Sequence, residues 1–410
     1  MESVDDMKVI MMRPSYRPEI SGGTHLAIDL VEDLKKAGHE VELVTPISQK
    51  YVETVDINKD ECVVHRVVSK FVKTDVVSRV FRYFDISRKM YNTAKKIEGA
   101  DVLMTHSMPP LLGPLGAKLA KKKKIPVVYW EQDIVSQSLL STKILGKSDL
   151  KTKILFSVAQ SLEKQTEKNS NKIITISNCF RDMHMNRGIQ EDKVKVVYNW
   201  VDTEQIYPVA KKDNILFDEF SIPKNKFIVS YCGNLGVPQN VEILIDCAEK
   251  LQENQDILFV IFGGGSREKI VKQYIEDKKL NNLLFFPLQP LERAHYVYSV
   301  GDIGVVIGKK GTSNNGFPSK TWSIMAAGQA IISCFDMESE LASFVRESNG
   351  GIAVPPDSVD DLMEAVLYMY KNQEKTREMG KNAREYIINN FSRKKATQSI
   401  IETLESVIEK

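Results

Sequence analysis

Residues 313–320, Ser-Asn-Asn-Gly-Phe-Pro-Ser-Lys, concentrate chemistry in a short span. A Gly/Asn/Ser loop runs into a helical pattern and then into the apolar strand pattern of 330–335. Such an entry points backbone N–H groups and the positive end of the helix dipole outward, which suits a phosphate. Lys320 is the single charge between residues 313 and 335. Beside Pro318, the Ser319 hydroxyl and the Lys320 ammonium could converge on one oxyanion; the plainer reading of Lys320 is a solvated helix lysine. Further glycine loops have a related capacity: Gly22 with Gly23, Gly233-Asn234-Leu235-Gly236, and Gly263-Gly264-Gly265 followed by Arg267. Glycine lets a backbone approach a ligand closely, though an ordinary turn uses the same residues. The chain has no Asp-x-Asp pair of the kind that holds a divalent cation on a diphosphate. Charge is therefore expected to be met by backbone N–H groups and lysine, with no metal and no cofactor.

Groups able to move protons lie elsewhere. Glu131 and Asp133 follow the apolar run "PVVYW", and His106 ends "DVLMTHS". A carboxylate at a strand end could accept a proton from a hydroxyl or fix that hydroxyl in place. An aspartate there is also a common helix cap. The remaining histidines have no metal-ligand spacing; His25 opens the helix after the first glycine pair. Residues 66–96 carry nine Lys and Arg against two Asp, with Val76, Val77, Val80, Phe81, Phe84 and Tyr91 interleaved. That pattern fits either an anionic membrane surface or solvated helices packed by their apolar side.

The elements that must position these groups repeat. "MKVIMM" (7–12) reads as a strand, 13–23 as a loop, and 24–37 as a helix with Leu26, Leu30 and Leu34 on one face. "EVELVT" follows as a strand, so the unit is β-α-β and the sheet parallel. Strand patterns recur at 101–107, 126–133, 172–177 and 194–199. A polar stretch with prolines, 203–226, reads as a linker. Beyond it lie strands at 227–236, 257–265, 283–287, 303–308 and 330–335, then charged helices over 358–408. Two doubly wound α/β domains of similar size follow, with ligands expected beyond the C-terminal strand ends.

The remaining sequence features bound the setting. Lys plus Arg number 56 and Asp plus Glu 54, a net charge of +2, so nucleic acid is not an expected partner. The five cysteines are far apart and read as reduced thiols of a cytoplasmic protein. No secretory leader is expected at the N-terminus, and no apolar run approaches the roughly 20 residues a membrane span needs.

Several ordered segments together resemble family 4 of the retaining glycosyltransferases, which have the GT-B fold. They are "PEISGGTHLAIDLVEDLKKAGHEVELVT", "KIITISNCFRDM", "VKVVYNWVDTEQIYP", "YCGNLGVPQNVEIL", "VIFGGGSREKIV" and "FPSKTWSIMAAGQAII". The third is similar to the family's Asn-Gly-Val-Asp-x-x-x-Phe-x-Pro signature. The "FPSK…MAAG" form resembles a subgroup that includes the N-acetylfucosamine transferases of bacterial capsule and O-antigen synthesis.

The resemblance implies two Rossmann-like domains facing across a cleft. They are an acceptor domain at 7–205, a nucleotide-sugar domain at 206–385, and a helix at 386–410 returning to the first. It implies a nucleotide-sugar donor, a UDP-sugar foremost, and a saccharide acceptor, polyprenyl-diphosphate-linked or an oligosaccharide. It also implies a cytoplasmic site, peripheral on the inner face of the plasma membrane, with 66–96 as the contact. Donor contacts fall on Gly22, Gly23, Gly233, Asn234, Gly264, Arg267, Leu288, Asn315, Gly316, Pro318, Ser319, Lys320 and Ser323. Asp133, Glu131 and His106 fall on the acceptor side. Two departures stand out. The Arg and Lys that relatives carry in the Gly233 loop are replaced by Asn234 and by Gln239 or Asn240. The family's glutamate pair aligns with Asn315 and Ser323. Two readings stay open: a transferase in which Lys320 supplies the missing charge, or a catalytically silent subunit that binds a partner transferase or acceptor.

Overall fold

The computed structural model describes residues 6–408 except 20–22, 49–51, 53–55, 57–59, 72–75, 138–149 and 313–316, and omits the side chains of 76, 77, 79 and 150–152. The chain divides into two compact units, Met1–Asn199 with Lys394–Lys410, and Trp200–Arg393.

The first unit runs β1 (Lys8–Met12), α1 (Thr24–Lys36), β2 (Glu40–Pro46), β3 (Val63–Val67), α2 (Val76–Ala94), β4 (Val102–His106), α3 (Leu112–Lys123), β5 (Val127–Trp130), α4 (Leu150–Asn169), β6 (Lys172–Thr175), α5 (Asn178–Asn186) and β7 (Val194–Val196). All pairings are parallel, in the order β3-β2-β1-β4-β5-β6-β7. Strands covered on both faces read as continuous apolar runs, as β4 and β5 do, every residue of each being buried. Leu26, Leu30, Val31 and Leu34 bury one side of α1, and Gly38 ends it at φ +96°, a conformation that favours glycine.

The second unit runs α6 (Leu216–Glu219), β8 (Phe227–Asn234), α7 (Glu242–Lys250), β9 (Ile257–Gly264), α8 (Glu268–Lys278), β10 (Leu283–Pro287), α9 (Ala294–Tyr298), β11 (Ile303–Ile307), α10 (Lys320–Ala326), β12 (Ala330–Cys334), α11 (Glu340–Glu347), β13 (Gly351–Val354), α12 (Val359–Lys371) and α13 (Gln373–Asn390). Its parallel sheet has the order β10-β9-β8-β11-β12-β13. Helix α14 (Arg393–Ile408) belongs mostly to the first unit, where Thr397 donates to Asp33 of α1 at 2.8 Å and Glu405 pairs with His39 at 3.3 Å.

Both sheets reverse strand order once, between β1 and β4 and between β8 and β11. Connections diverge there to opposite faces and leave a crevice at the strands' carboxyl ends. Arg13 and His106 lie at the first of these points and Gly233 and Asn234 at the second.

Three sequence expectations change. The stretch 203–226 is not a free linker: Leu216, Phe217 and Ile222 are buried in the second unit's core, and Lys211 pairs with Asp302 at 2.6 Å. Charges and prolines hid a short apolar cluster. The units meet in sequence at 199/200 and 393/394 rather than at 205/206 and 385/386. The two chain passages are tied there by a Val201–Ser392 bridge and an Arg393–Asp202 ion pair at 3.3 Å. Strands β3 and β13 went unread because both are sheet edges, one interrupted by His65 and Arg66 and the other opened by Gly350 and Gly351.

Candidate active site

In the second unit, β8 carries Gly233 and Asn234 to the switch point, and the register sets Asn234 opposite Gly264 of β9. Gly233 has φ +132° and Gly265 φ +143°, values that side-chain-bearing residues rarely adopt. Lys320 opens α10 and reaches back over this loop. Its Nζ lies 3.8 Å from the Tyr231 ring centroid and 3.2 Å from where a Cβ on Gly233 would sit. The residue is half-buried, yet its Nζ is shielded from water and has no hydrogen-bond partner among the described residues. Burial pushes its pKa down to about 7. An unpaired buried cation is costly, and the Tyr231 face offsets only part of that cost.

Aromatic packing fixes the segment that carries Lys320. Phe317 stacks on Trp322 at 4.5 Å with a 3° interplanar angle, and Trp322 stacks on Phe391 at 4.5 Å. The other expected donor residues divide. Gly264 and Leu288 come together, a Cβ on Gly264 falling 3.1 Å from Leu288 Cδ1. Arg267 forms an ion pair with Glu242, so its charge is partly committed. Ser319 is exposed and makes no cap hydrogen bond. The Ser323 hydroxyl bonds to Tyr298. Pro318 precedes α10 and accepts the Thr321 N–H at 3.0 Å. Asn315, Gly316 and Gly22 lie outside the described residues.

In the first unit, His106 ends β4 and Gly23 precedes α1. His106 Nδ1 accepts the Met108 N–H at 3.0 Å, so Nε2 carries the ring proton. Burial, and then the Arg13 charge, keep this imidazole neutral by lowering its pKa well below the usual value. Asp133 is exposed, and its backbone N–H donates to Ser107 Oγ at 3.3 Å.

Glu131 is placed differently from the expectation of an acid facing acceptor. It has no solvent exposure, and its Oε2 sits 2.7 Å from His184 Nε2 and 3.2 Å from Thr175 Oγ1. His184 Nδ1 lies 3.4 Å from Glu167, which also pairs with Arg187; Arg187 in turn reaches Glu163 at 3.1 Å. Glu131, Glu167 and His184 are close enough for their ligand atoms to surround an ion. Their chemistry favours a closed ion-pair network. Burial lowers the imidazole's affinity for a proton, but Glu131 and Glu167 more than offset this and raise its pKa to about 10. The imidazolium and Arg187 are themselves the cations. Glu131 is thus enclosed in a structural network, and a proton could reach it only by opening that network.

Sequence reading passed over Arg13 and this network. Arg13 was legible as a charge set directly after the first apolar strand; the network joins residues 131 to 187 that only the sheet brings together.

Comparison with known proteins agrees with the two-unit division. The sequence profile described as "Glycosyltransferase Family 4" matches residues 20–205, and that described as "Glycosyl transferases group 1" matches 212–386. WcaI of Escherichia coli, named for glycosyl transfer in colanic acid biosynthesis, is 24% identical over 88% of this chain and 91% of its own length. The alpha-monoglucosyldiacylglycerol synthase of Acholeplasma laidlawii is 22% identical over 92% of each chain. Among solved structures, Anabaena HepE in complex with UDP and glucose superposes with a TM-score of 0.73 at 17% identity, covering 98% of this chain and 100% of that one. The structure therefore has the GT-B architecture of two parallel-sheet α/β domains.

Proposed function

The chain belongs to the group 1, family 4 glycosyltransferases, and from that premise we propose that it is a retaining, metal-independent transferase. It moves a sugar from a nucleotide diphosphate donor, a UDP-sugar foremost, to a lipid-linked saccharide in surface polysaccharide synthesis. The observation that carries this reading is Lys320: a buried ammonium without a partner among the described residues, packed over Gly233 at the switch point of the second sheet. The Tyr231 face offsets only part of the cost of that placement, whereas a diphosphate would supply the missing charge.

In this reading the acceptor oxygen bonds to the anomeric carbon as that carbon's bond to the diphosphate breaks. The acceptor proton passes to the departing phosphate oxygen, and Lys320 stabilises the charge that grows there. Gly233, Asn234 and Gly264 offer backbone close to the nucleotide, with Leu288 beside them. Asp133 and His106 orient the acceptor. Microcalorimetry with UDP, GDP and dTDP tests the donor class. The reading predicts binding of one of the three that weakens about 10–100-fold in Lys320→Met; absence of binding at millimolar nucleotide would refute it.

The silent-subunit reading draws on Ser323 and Arg267, each already engaged within the unit. It shares the nucleotide site and is separated by turnover: nucleotide release from the donor with lipid-linked acceptor present excludes it.

Membrane contact is the remaining part of the proposal. No helix of the described residues is long and apolar enough to cross a membrane. Yet Val80, Phe81 and Phe84 on α2 and Ile154, Leu155 and Val158 on α4 are exposed. The buried face of α2 is instead Ile86, Met90 and Ala94. Both exposed sets lie in the first half of their helices. Helices that return antiparallel to a parallel sheet begin at its carboxyl edge, where His106 and Asp133 lie. Arg82, Arg88 and Lys70 lie near the apolar residues in sequence and suit anionic headgroups.

A further inference from the structure

Arg13 follows β1 at the switch point of the first sheet, and it is 1% exposed. Its guanidinium lies over the Trp130 ring at 4.2 Å, and Nη2 donates to the Gly23 carbonyl at 3.0 Å. Among the described residues, Nε and Nη1 have no hydrogen-bond partner and no carboxylate pairs with this arginine. A fork with five donors and an obligate charge is here left with one bond and one ring face. Two histidines stand close enough to feel that charge. His25 is pushed down to about 4 by burial and then by Arg13, and His106 is likewise held neutral. The first turn of α1, directly after Gly23, contains no acidic residue and has no side-chain cap. The local field is therefore positive, with no carboxylate of the described residues to balance it.

We infer that Arg13 is the centre of an oxyanion site in the first unit, taking a phosphate or carboxylate group carried by the acceptor. Trp130 fixes the plane of the guanidinium, and Gly23 takes one Nη2–H, leaving Nε and Nη1, on the two edges of the fork either side of Nη2, as open donors for the oxygens of an anion. The position follows the general rule for open α/β sheets, since the connections leaving the paired strands β1 and β4 diverge here, with Arg13 directly after β1 and His106 at the end of β4. A buried unpaired charge lowers stability, so an arginine kept there is explained by a ligand that completes it. That the ligand is the acceptor rests on the transferase reading; that the site takes an oxyanion does not.

The test uses the whole protein. Inorganic pyrophosphate and methyl glucuronide are titrated by calorimetry into the wild type, with and without saturating UDP, and into Arg13→Met and Lys320→Met. The wild type is expected to bind one of the probes with UDP present, and Arg13→Met to bind it at least tenfold more weakly. The preferred probe separates a phosphate from a carboxylate. Unliganded Arg13→Met is expected to melt at or above the wild-type temperature, because it removes an unpaired charge and keeps the apolar contact with Trp130. Lys320→Met should bind UDP at least tenfold more weakly and keep the probe, which separates failure of the donor reading from failure of this one. Competition between UDP and the probe would assign the anion to the donor and overturn the acceptor assignment. Equal probe binding by wild type and Arg13→Met, or no binding of either probe by the wild type, would overturn the site. Should Arg13→Met fail to fold, Arg13→Lys is the second variant. A folded lysine variant with weakened probe binding supports the site, and loss of fold in both shows a structural arginine.

Discussion

Replacing Lys320 by methionine removes the charge while keeping most of the stem that packs on Tyr231. In the folded chain this amine releases its proton near pH 7, against 10.5 for an ordinary lysine. The unfolded state therefore binds more protons between those values, and wild-type stability rises with pH across that window. At about 1.4 kcal/mol per pKa unit, the burden of charging the buried amine is on the order of 5 kcal/mol below pH 7. Linkage leaves roughly 2 kcal/mol of it at pH 9 and almost none above the unfolded value. Lys320→Met should thus be more stable than wild type at pH 6, with the gap narrowing by about 3 kcal/mol by pH 9, or on the order of 6–12 °C in melting temperature for a unit of this size. Ligand binding should show the complement. At pH 8 the resting amine is mostly neutral, so UDP binding draws in close to one proton, read by calorimetry in buffers of different ionisation enthalpy. The variant should take up none and bind UDP about 10–100-fold more weakly, the span of a lost charge-assisted hydrogen bond. Parallel pH–stability curves for the two proteins would show that the amine is not desolvated. Unchanged UDP affinity would show that it does not meet the phosphate.

Other outcomes follow from particular contacts. Gly233→Ala places a methyl carbon 3.2 Å from Lys320 Nζ at φ +132°; it should cost about 1–3 kcal/mol in strain and weaken nucleotide binding, measured by melting and calorimetry. His184→Gln leaves Glu131 and Glu167 enclosed without their shared cation, and a loss of about 3–5 kcal/mol is expected in denaturant unfolding. Because the His184 pKa is raised to about 10, its contribution is complete below about pH 6.5 and fades as pH rises through 10, a trend absent in the variant. Substituting Phe81 and Phe84 together by serine should abolish sedimentation with anionic vesicles at low salt while leaving melting unchanged, both side chains being exposed. Equal sedimentation would exclude this face as the membrane contact.

Much of the architecture was readable from the chain itself. Period-3.6 helices, apolar strand runs and glycine turns repeat along it, and local sterics and burial dictate those patterns without knowledge of neighbours. The doubly wound fold follows from that level, as does the resemblance carried by ordered segments, and the loop-to-helix context alone marked Lys320 as a candidate. Three things were decided only in three dimensions. The stretch 203–226 looks polar in sequence and yet adds side chains to the core, because Leu216, Phe217 and Ile222 find partners on strands and a helix formed by later residues. Glu131 looks available at a strand end and is enclosed, because β5, β6, α4 and α5 bring His184, Glu167 and Arg187 around it. Arg13 and Lys320 look like ordinary surface cations and are buried without counter-charges among the described residues. Sequence pattern records which residues prefer water. Desolvation, pairing and the absence of pairing are properties of what surrounds a group, and those surroundings exist only once the sheets have assembled.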